Sequence, residues 1–150
     1  MIWQLESLFE QLAGDWAISR TITGAQQGRL EGTATFTPQS DDRLDYHEAG
    51  ELVLPNGYAS EAFRSYVWLL SPDGFSVHFP EQPLRLFQTV NLQREGQLLN
   101  GKAHHDCPPD IYQSRYEFRP DSSFFVSHDV SGPRKAYRIE THYRKNPHMG

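Results

Sequence analysis

The stretch Trp16-Ala17-Ile18-Ser19-Arg20-Thr21-Ile22, followed by Thr23-Gly24-Ala25-Gln26-Gln27-Gly28 and then by Arg29-Leu30-Glu31-Gly32-Thr33-Ala34-Thr35-Phe36, decides the fold. Every second residue of the first run, Trp16, Ile18, Arg20 and Ile22, falls on one face, as do Leu30, Gly32, Ala34 and Phe36 of the second. A period of two belongs to a half-buried strand, and a glycine-rich turn between two such runs makes a hairpin.

Upstream the period differs. Leu5, Leu8, Phe9 and Leu12 recur at helical spacing, with Gly14 placed to cap the run, so one short amphipathic helix precedes the hairpin. Downstream the period of two persists. After a loop over 38–42, Tyr46, Glu48, Gly50 and Leu52 alternate with Asp45, His47, Ala49 and Glu51 up to the turn Pro55-Asn56-Gly57. A fourth strand spans 60–70, with Arg64, Tyr66 and Trp68 on one side. Turn signals at 71–74, 80–83, 94–96, 107–110, 119–122 and 131–133 separate six more strands, over 75–79, 84–92, 97–105, 111–118, 124–130 and 135–143. Ten short strands on hairpin-length connections, with no helical period after Gly14, predict an all-β fold. The expected form is one closed antiparallel up-and-down barrel over residues 1–150. A two-sheet sandwich would require a long Greek-key crossover, and none is visible.

One domain is what 150 residues accommodate, and a chain of that length buries a core without staples. The single cysteine, Cys107, excludes an intramolecular disulfide framework and points to a reducing, cytoplasmic location. Gln4, Glu6, Glu10 and Gln11 interrupt the first segment, which lacks the basic leader of a signal peptide, and no run is apolar enough to span a membrane. A formal net charge of -5, from 14 basic and 19 acidic residues, leaves no basic face for nucleic acid.

Charges that share faces with large hydrophobes carry the functional signal. Arg20 follows Trp16 and Ile18, Glu48 follows Tyr46, and Arg64 precedes Tyr66 and Trp68, so if those faces are interior the charges are interior too. A buried ion must be paired or meet a ligand charge. Either Arg20, Glu48 and Arg64 satisfy one another, or one arginine is left over to hold a carboxylate or phosphate through its fork.

A second signal is His104-His105-Asp106-Cys107-Pro108-Pro109-Asp110-Ile111-Tyr112, which gathers the cysteine, two histidines, two carboxylates and a phenol where a strand meets a turn. His105 and Cys107 project to one side, and the two prolines stiffen the turn that returns Asp110 and Tyr112. The expectation is a metal-free polar end of a pocket, because no further ligands stand at metal-site spacing. On the last strands His128 lies among Phe124, Val126 and Val130, while Tyr137, Ile139, Thr141 and Tyr143 form a face opposite Arg138, Glu140, His142 and Arg144.

In order along the chain, Gly14-x-Trp16-x-Ile18-x-Arg20, Tyr46-x-Glu48-x-Gly50, Arg64-x-Tyr66-x-Trp68, His105-x-Cys107 with Asp110-x-Tyr112, and Val130-x-Gly132-Pro133-x-Lys135-x-Tyr137 resemble an uncharacterised, largely bacterial family of calycin-like domains. The resemblance implies a closed barrel akin to lipocalins, fatty-acid-binding proteins and nitrobindin, with an internal cavity, and carries no activity. Haem-binding nitrobindins place a histidine on a late strand, but neither His128 nor His142 falls on a matching position, and no cofactor is expected.

The function expected from these readings is small-molecule binding in an aromatic-walled pocket. Trp16, Tyr46, Tyr66, Trp68, Tyr112, Tyr116 and Tyr137 supply its surface, and Arg20, Glu48, Arg64, His105, Cys107 and His128 its polar groups. The expected partner is a small hydrophobic or amphipathic ligand, anionic at one end, with a homodimer allowed. The alternative is an isomerase, cyclase or hydrolase in which His105 or Glu48 is the general base, Asp110 orients the histidine and Tyr112 or Arg64 stabilises negative charge.

Overall fold

The computed structural model describes residues 2–146. Alternating apolar positions, interrupted by glycine- and proline-containing turns, produce β1 (Gly14–Gly24), β2 (Gly28–Ser40), β3 (Arg43–Val53), β4 (Ala59–Ser71), β5 (Gly74–Phe79), β6 (Arg85–Glu95), β7 (Leu98–Cys107), β8 (Asp110–Phe118), β9 (Phe124–Gly132) and β10 (Lys135–Lys145). Each strand pairs with its sequence neighbours, and β1 closes the sheet antiparallel on β10, from Trp16 opposite Lys145 to Gly24 opposite Tyr137. The expected closed up-and-down barrel is therefore present, although β4 pairs β5 only over Val67–Ser71 and β6 pairs β7 only over Asn91–Glu95, which leaves the mouth-side halves of those two ladders open. The loop expected over 38–42 is shorter than that. β2 runs on through Pro38 to Ser40 across a register shift, an irregularity where a residue without an N–H is tolerated.

This topology sorts the connections between two ends. The β1–β2, β3–β4, β5–β6, β7–β8 and β9–β10 turns ring one end, called the mouth below; the other connections and the N-terminal segment lie at the opposite end. There a 3-10 turn over Leu5–Ser7 leads into α1 (Leu8–Leu12), which buries Leu8, Phe9 and Leu12. Five residues make a weak helix alone, so burial of that apolar face holds it. Gly14, at φ +115°, turns the chain into β1, and the Lys145 ammonium donates to the Ala13 carbonyl at 2.8 Å, placing a cation at the end of α1. No helix among the described residues is long and apolar enough to cross a membrane.

The closed end is an aromatic stack. Trp3 lies 5.9 Å from Trp16 and 5.0 Å from Phe118, and Phe124 stacks on Tyr143 at 4.1 Å. Both indoles have their N–H groups satisfied, Trp3 by the Ser123 carbonyl at 3.2 Å and Trp16 by the Leu12 carbonyl at 2.8 Å. Each ring that is fully buried in such a stack contributes about 2–3 kcal/mol of apolar transfer free energy. In the wall, Gly32 faces Gly50 across β2 and β3, and a Cβ on Gly32 would stand 2.2 Å from the Ala49 carbonyl oxygen, so the two strands approach as only glycine permits.

Candidate functional site

Above the aromatic stack the barrel interior turns polar. Arg20 on β1 and Glu48 on β3 both point inward, and the Arg20 fork donates to both carboxylate oxygens, Nη1 to Oε2 at 2.6 Å and Nη2 to Oε1 at 2.8 Å. Arg20 Nε donates to Thr141 Oγ1 at 2.8 Å, and the Tyr46 hydroxyl donates to Glu48 Oε1 at 2.6 Å. With the proton of Tyr46 committed to Glu48, the contact of 2.8 Å between the Tyr46 and Tyr143 hydroxyls has Tyr143 as its donor. Burial opposes the charge on Glu48, but the hydrogen bonds and charge of Arg20, with smaller help from Tyr46 and Arg64, outweigh it and hold the carboxyl below its usual pKa. Burial opposes the Arg20 charge as well, and the Glu48 hydrogen bonds more than offset it. Burial pushes Tyr143 up to about 12, so its phenol keeps its proton.

A second polar chain crosses the neighbouring wall. The Tyr116 hydroxyl donates to Gln88 Oε1 at 2.5 Å, Gln88 Nε2 donates to Ser114 Oγ at 3.0 Å, and Ser114 Oγ lies 2.6 Å from His128 Nδ1. Burial, reinforced by the positive charges of Arg20 and Arg64, lowers the His128 pKa to about 4, so the ring is neutral near pH 7.

Between the two networks lies a cavity of about 40 Å³, lined among others by Arg20, Tyr46, Glu48, Arg64, Tyr66, Trp68, Tyr116, His128, Thr141 and Tyr143. That volume holds a few waters and is far below the several hundred Å³ of a pocket that encloses a whole organic ligand, or a group the size of haem. What narrows it on the mouth side is a β-bulge. Val77 pairs with Gln88 and His78 with Leu86, which leaves Phe87 as the extra residue, turned inward and buried. Its ring lies 6.2 Å from Tyr66, 5.3 Å from Phe79, 5.6 Å from Tyr112, 4.9 Å from His105 and 5.9 Å from His128, forming an aromatic lid.

Arg64 is the charged group in this site without a protein partner, and unlike Arg20 and Glu48 it is exposed to solvent. It stands opposite Glu48 in the β3–β4 register and lines the cavity, yet among the described residues it makes no ion pair or hydrogen bond. Arg20, Glu48 and Arg64 together leave one uncompensated positive charge.

Sequence and structure comparisons place the chain in a wider set. Residues 12–145 match the model of a family described as "Family of unknown function (DUF6314)". The chain belongs to that family. No curated protein sequence matches this DUF6314 chain. A redesigned beta barrel is similar at TM-score 0.42 and 15% identity, covering 92% of this chain and 95% of its own. A de novo designed fluorescence-activating beta barrel is similar at TM-score 0.43 and 10% identity, covering 95% and 100%. A third, described as EF1p2_mFAP2b bound to DFHBI, has TM-score 0.43 and 11% identity over 95% and 100%.

Several expected site residues of the DUF6314 barrel lie away from the cavity. Trp16 is in the closed-end stack, below the polar layer, because β1 enters the barrel from that end. His105 and Tyr112 sit in the lid, on the far side of Phe87 from the cavity. The Tyr112 phenol, raised by burial and then by its neighbour Tyr137, stays protonated. Cys107 is exposed, since β7 overruns the barrel rim and its last residues project past the interior. Asp110 does not return toward His105: its Oδ2 accepts from Lys135 Nζ at 3.0 Å, across to the β9–β10 turn, where side-chain-free Gly132 leaves room for it. His142 faces outward against Phe125 at 4.8 Å. Among the described residues no group of three or more His, Cys, Asp or Glu could hold a metal ion. Sequence periodicity missed Phe87 and Gln88, because the bulge brings two successive residues inward and breaks the parity on which such reading depends.

Proposed function

We propose that this barrel binds a small amphipathic molecule by its anionic end, with the anion beside Arg64 in the cavity and the apolar body passing out through the aromatic lid. The observation that carries this reading is the spare charge. Glu48 has both oxygens engaged by Arg20 and one also by Tyr46, so Arg64, its register partner, is left as an unpaired cation in an aromatic-walled recess. Arg64 is exposed at the rim of that recess, and a guanidinium fork there can take a carboxylate or phosphate through two parallel hydrogen bonds. The small cavity volume supports a head group inside and a tail outside. Seating the tail requires Phe87 to swing from the lid, and exposed Leu54, Tyr58, Leu86 and Ile111 near the mouth supply apolar surface beyond it.

The competing catalytic reading has less to support it. Glu48 is an ionised, fully engaged carboxylate, and Asp110 is engaged by Lys135, so neither is placed to exchange a proton with a substrate. Titration with an anionic fluorescent fatty acid tests the proposal. Wild-type protein should bind it, and Arg64→Ala should weaken binding about tenfold or more, the worth of a charge-assisted hydrogen bond, with little change in melting temperature. Equal binding by both proteins would overturn the reading.

A further inference from the structure

Resting on that reading, we propose that His128 is the second anchor and sets the specificity of the cavity: it presents Nε2–H beside Arg64, so the bound group is a deprotonated oxyanion, a carboxylate in the simplest case, rather than the neutral acid, an amide or an amine. The direction of the hydrogen-bond chain behind His128 carries the argument. Ser114 Oγ has a single proton. It accepts from Gln88 Nε2 at 3.0 Å, while Gln88 Oε1 accepts from the buried Tyr116 hydroxyl. The Ser114 proton then goes to His128 Nδ1, 2.6 Å away. Reversing the chain would have Gln88 donate to Tyr116 and would leave the Tyr116 proton, in the core, without an acceptor among the described residues. Every proton finds a partner in one direction only, and in that direction the neutral imidazole carries its hydrogen on Nε2.

The surroundings of the ring agree. Burial and the neighbouring charges of Arg20 and Arg64 keep His128 neutral, so Nδ1 is free to accept. His128 lines the cavity and keeps some accessible surface there, while no hydrogen bond from the described residues reaches Nε2. Phe87 at 5.9 Å and Tyr116 at 6.4 Å hold the ring by its faces and edges. Arg64 offers donors and no acceptor, the Glu48 oxygens are committed, and the Tyr66 hydroxyl turns as a ligand demands. A carboxylate entering here meets a guanidinium and an imidazole N–H. An ammonium or amide N–H meets donors opposed to its own.

Two-bond 1H–15N correlation on 15N-histidine-labelled protein near pH 7 reads the tautomer directly. The inference requires the Nε2–H form for His128, and requires Ser114→Ala to change or mix the tautomer. Binding is then measured with decanoate on folded variants checked by near-ultraviolet circular dichroism. His128→Leu should lose about tenfold in affinity, one hydrogen bond to a charged group, whereas His128→Gln, which keeps an N–H donor, should stay within a few-fold of wild type. An Nδ1–H tautomer, or undiminished decanoate affinity in His128→Leu, overturns this inference and leaves the role of Arg64 intact. Absence of decanoate binding by wild-type protein overturns both.

Discussion

Arg64 and Glu48 face each other across the β3–β4 ladder, and Glu48 nevertheless gives both of its oxygens to Arg20, which reaches it from β1, two strands away on the opposite flank. The geometry of the fork explains the choice. Arg20 meets Glu48 with two parallel bonds and spends its remaining Nε–H on Thr141, so the pair is satisfied on nearly all sides. Arg64 is the residue that this arrangement sets free.

Removing either member of the buried pair should cost about 3–5 kcal/mol, because the survivor is an uncompensated interior charge. Chemical denaturation of Arg20→Met, Glu48→Leu and the double variant checks this. The double variant should lose much less than the sum of the two singles. Small, additive losses would show that the two side chains do not form one unit.

Acid stability should depend on His128. Its folded pKa of about 4 lies below its ordinary 6.5, so the unfolded chain binds the proton more readily and stability falls as pH drops from about 6.5 toward 4. The full loss is about 3 kcal/mol. Arg20 and Arg64, which face the ring, sharpen the effect by repelling its charged form. Glu48 adds a second loss below about pH 4.5, because a depressed carboxyl contributes stability only above its unfolded value. Denaturation midpoints of wild type and His128→Gln between pH 7 and 4.5 should converge as the pH falls. Parallel curves would contradict the assignment.

Much of the architecture was legible in the chain. Alternation and turn residues located all ten strands, since the hairpins turn on glycine, proline or asparagine, or on Asp41-Asp42 between β2 and β3, where the backbone has to reverse. The burial of Arg20 and Glu48 followed from their parity with Trp16 and Tyr46, whereas Arg64, on the same face as Trp68, lines the cavity but stays exposed because β4 has no β5 partner beside it. What was not legible depends on tertiary geometry. The bulge at Phe87 has no local signature, and it turns an aromatic ring inward that narrows the mouth side of the cavity. Asp110 was expected beside His105 because the two are close in sequence, but Lys135 on the adjacent hairpin offers an opposite charge at hydrogen-bond distance. Trp3 went unread because it precedes the helical repeat that marks the N-terminal segment.

Trp3 is the cornerstone of the closed end, and Trp3→Ala should lower stability by about 3–5 kcal/mol through the void left against Trp16, Phe118 and Phe124. Decanoate affinity should change little, since the polar layer separates that stack from the cavity. Thermal melts and a ligand titration on the same variant decide it. A parallel collapse of binding would place the ligand at the wrong end of the barrel in this account.

The central claim is that the interior recognises negative charge. Calorimetric titration of the wild-type protein with decanoate, decanol and decylamine, which share a chain and differ in head group, tests it most directly. Decanoate should bind tightest, decanol about tenfold or more weaker for want of the charge-assisted hydrogen bonds, and decylamine weakest of the three. Equal affinities for decanoate and decanol, or a preference for decylamine, would contradict an anion site at Arg64.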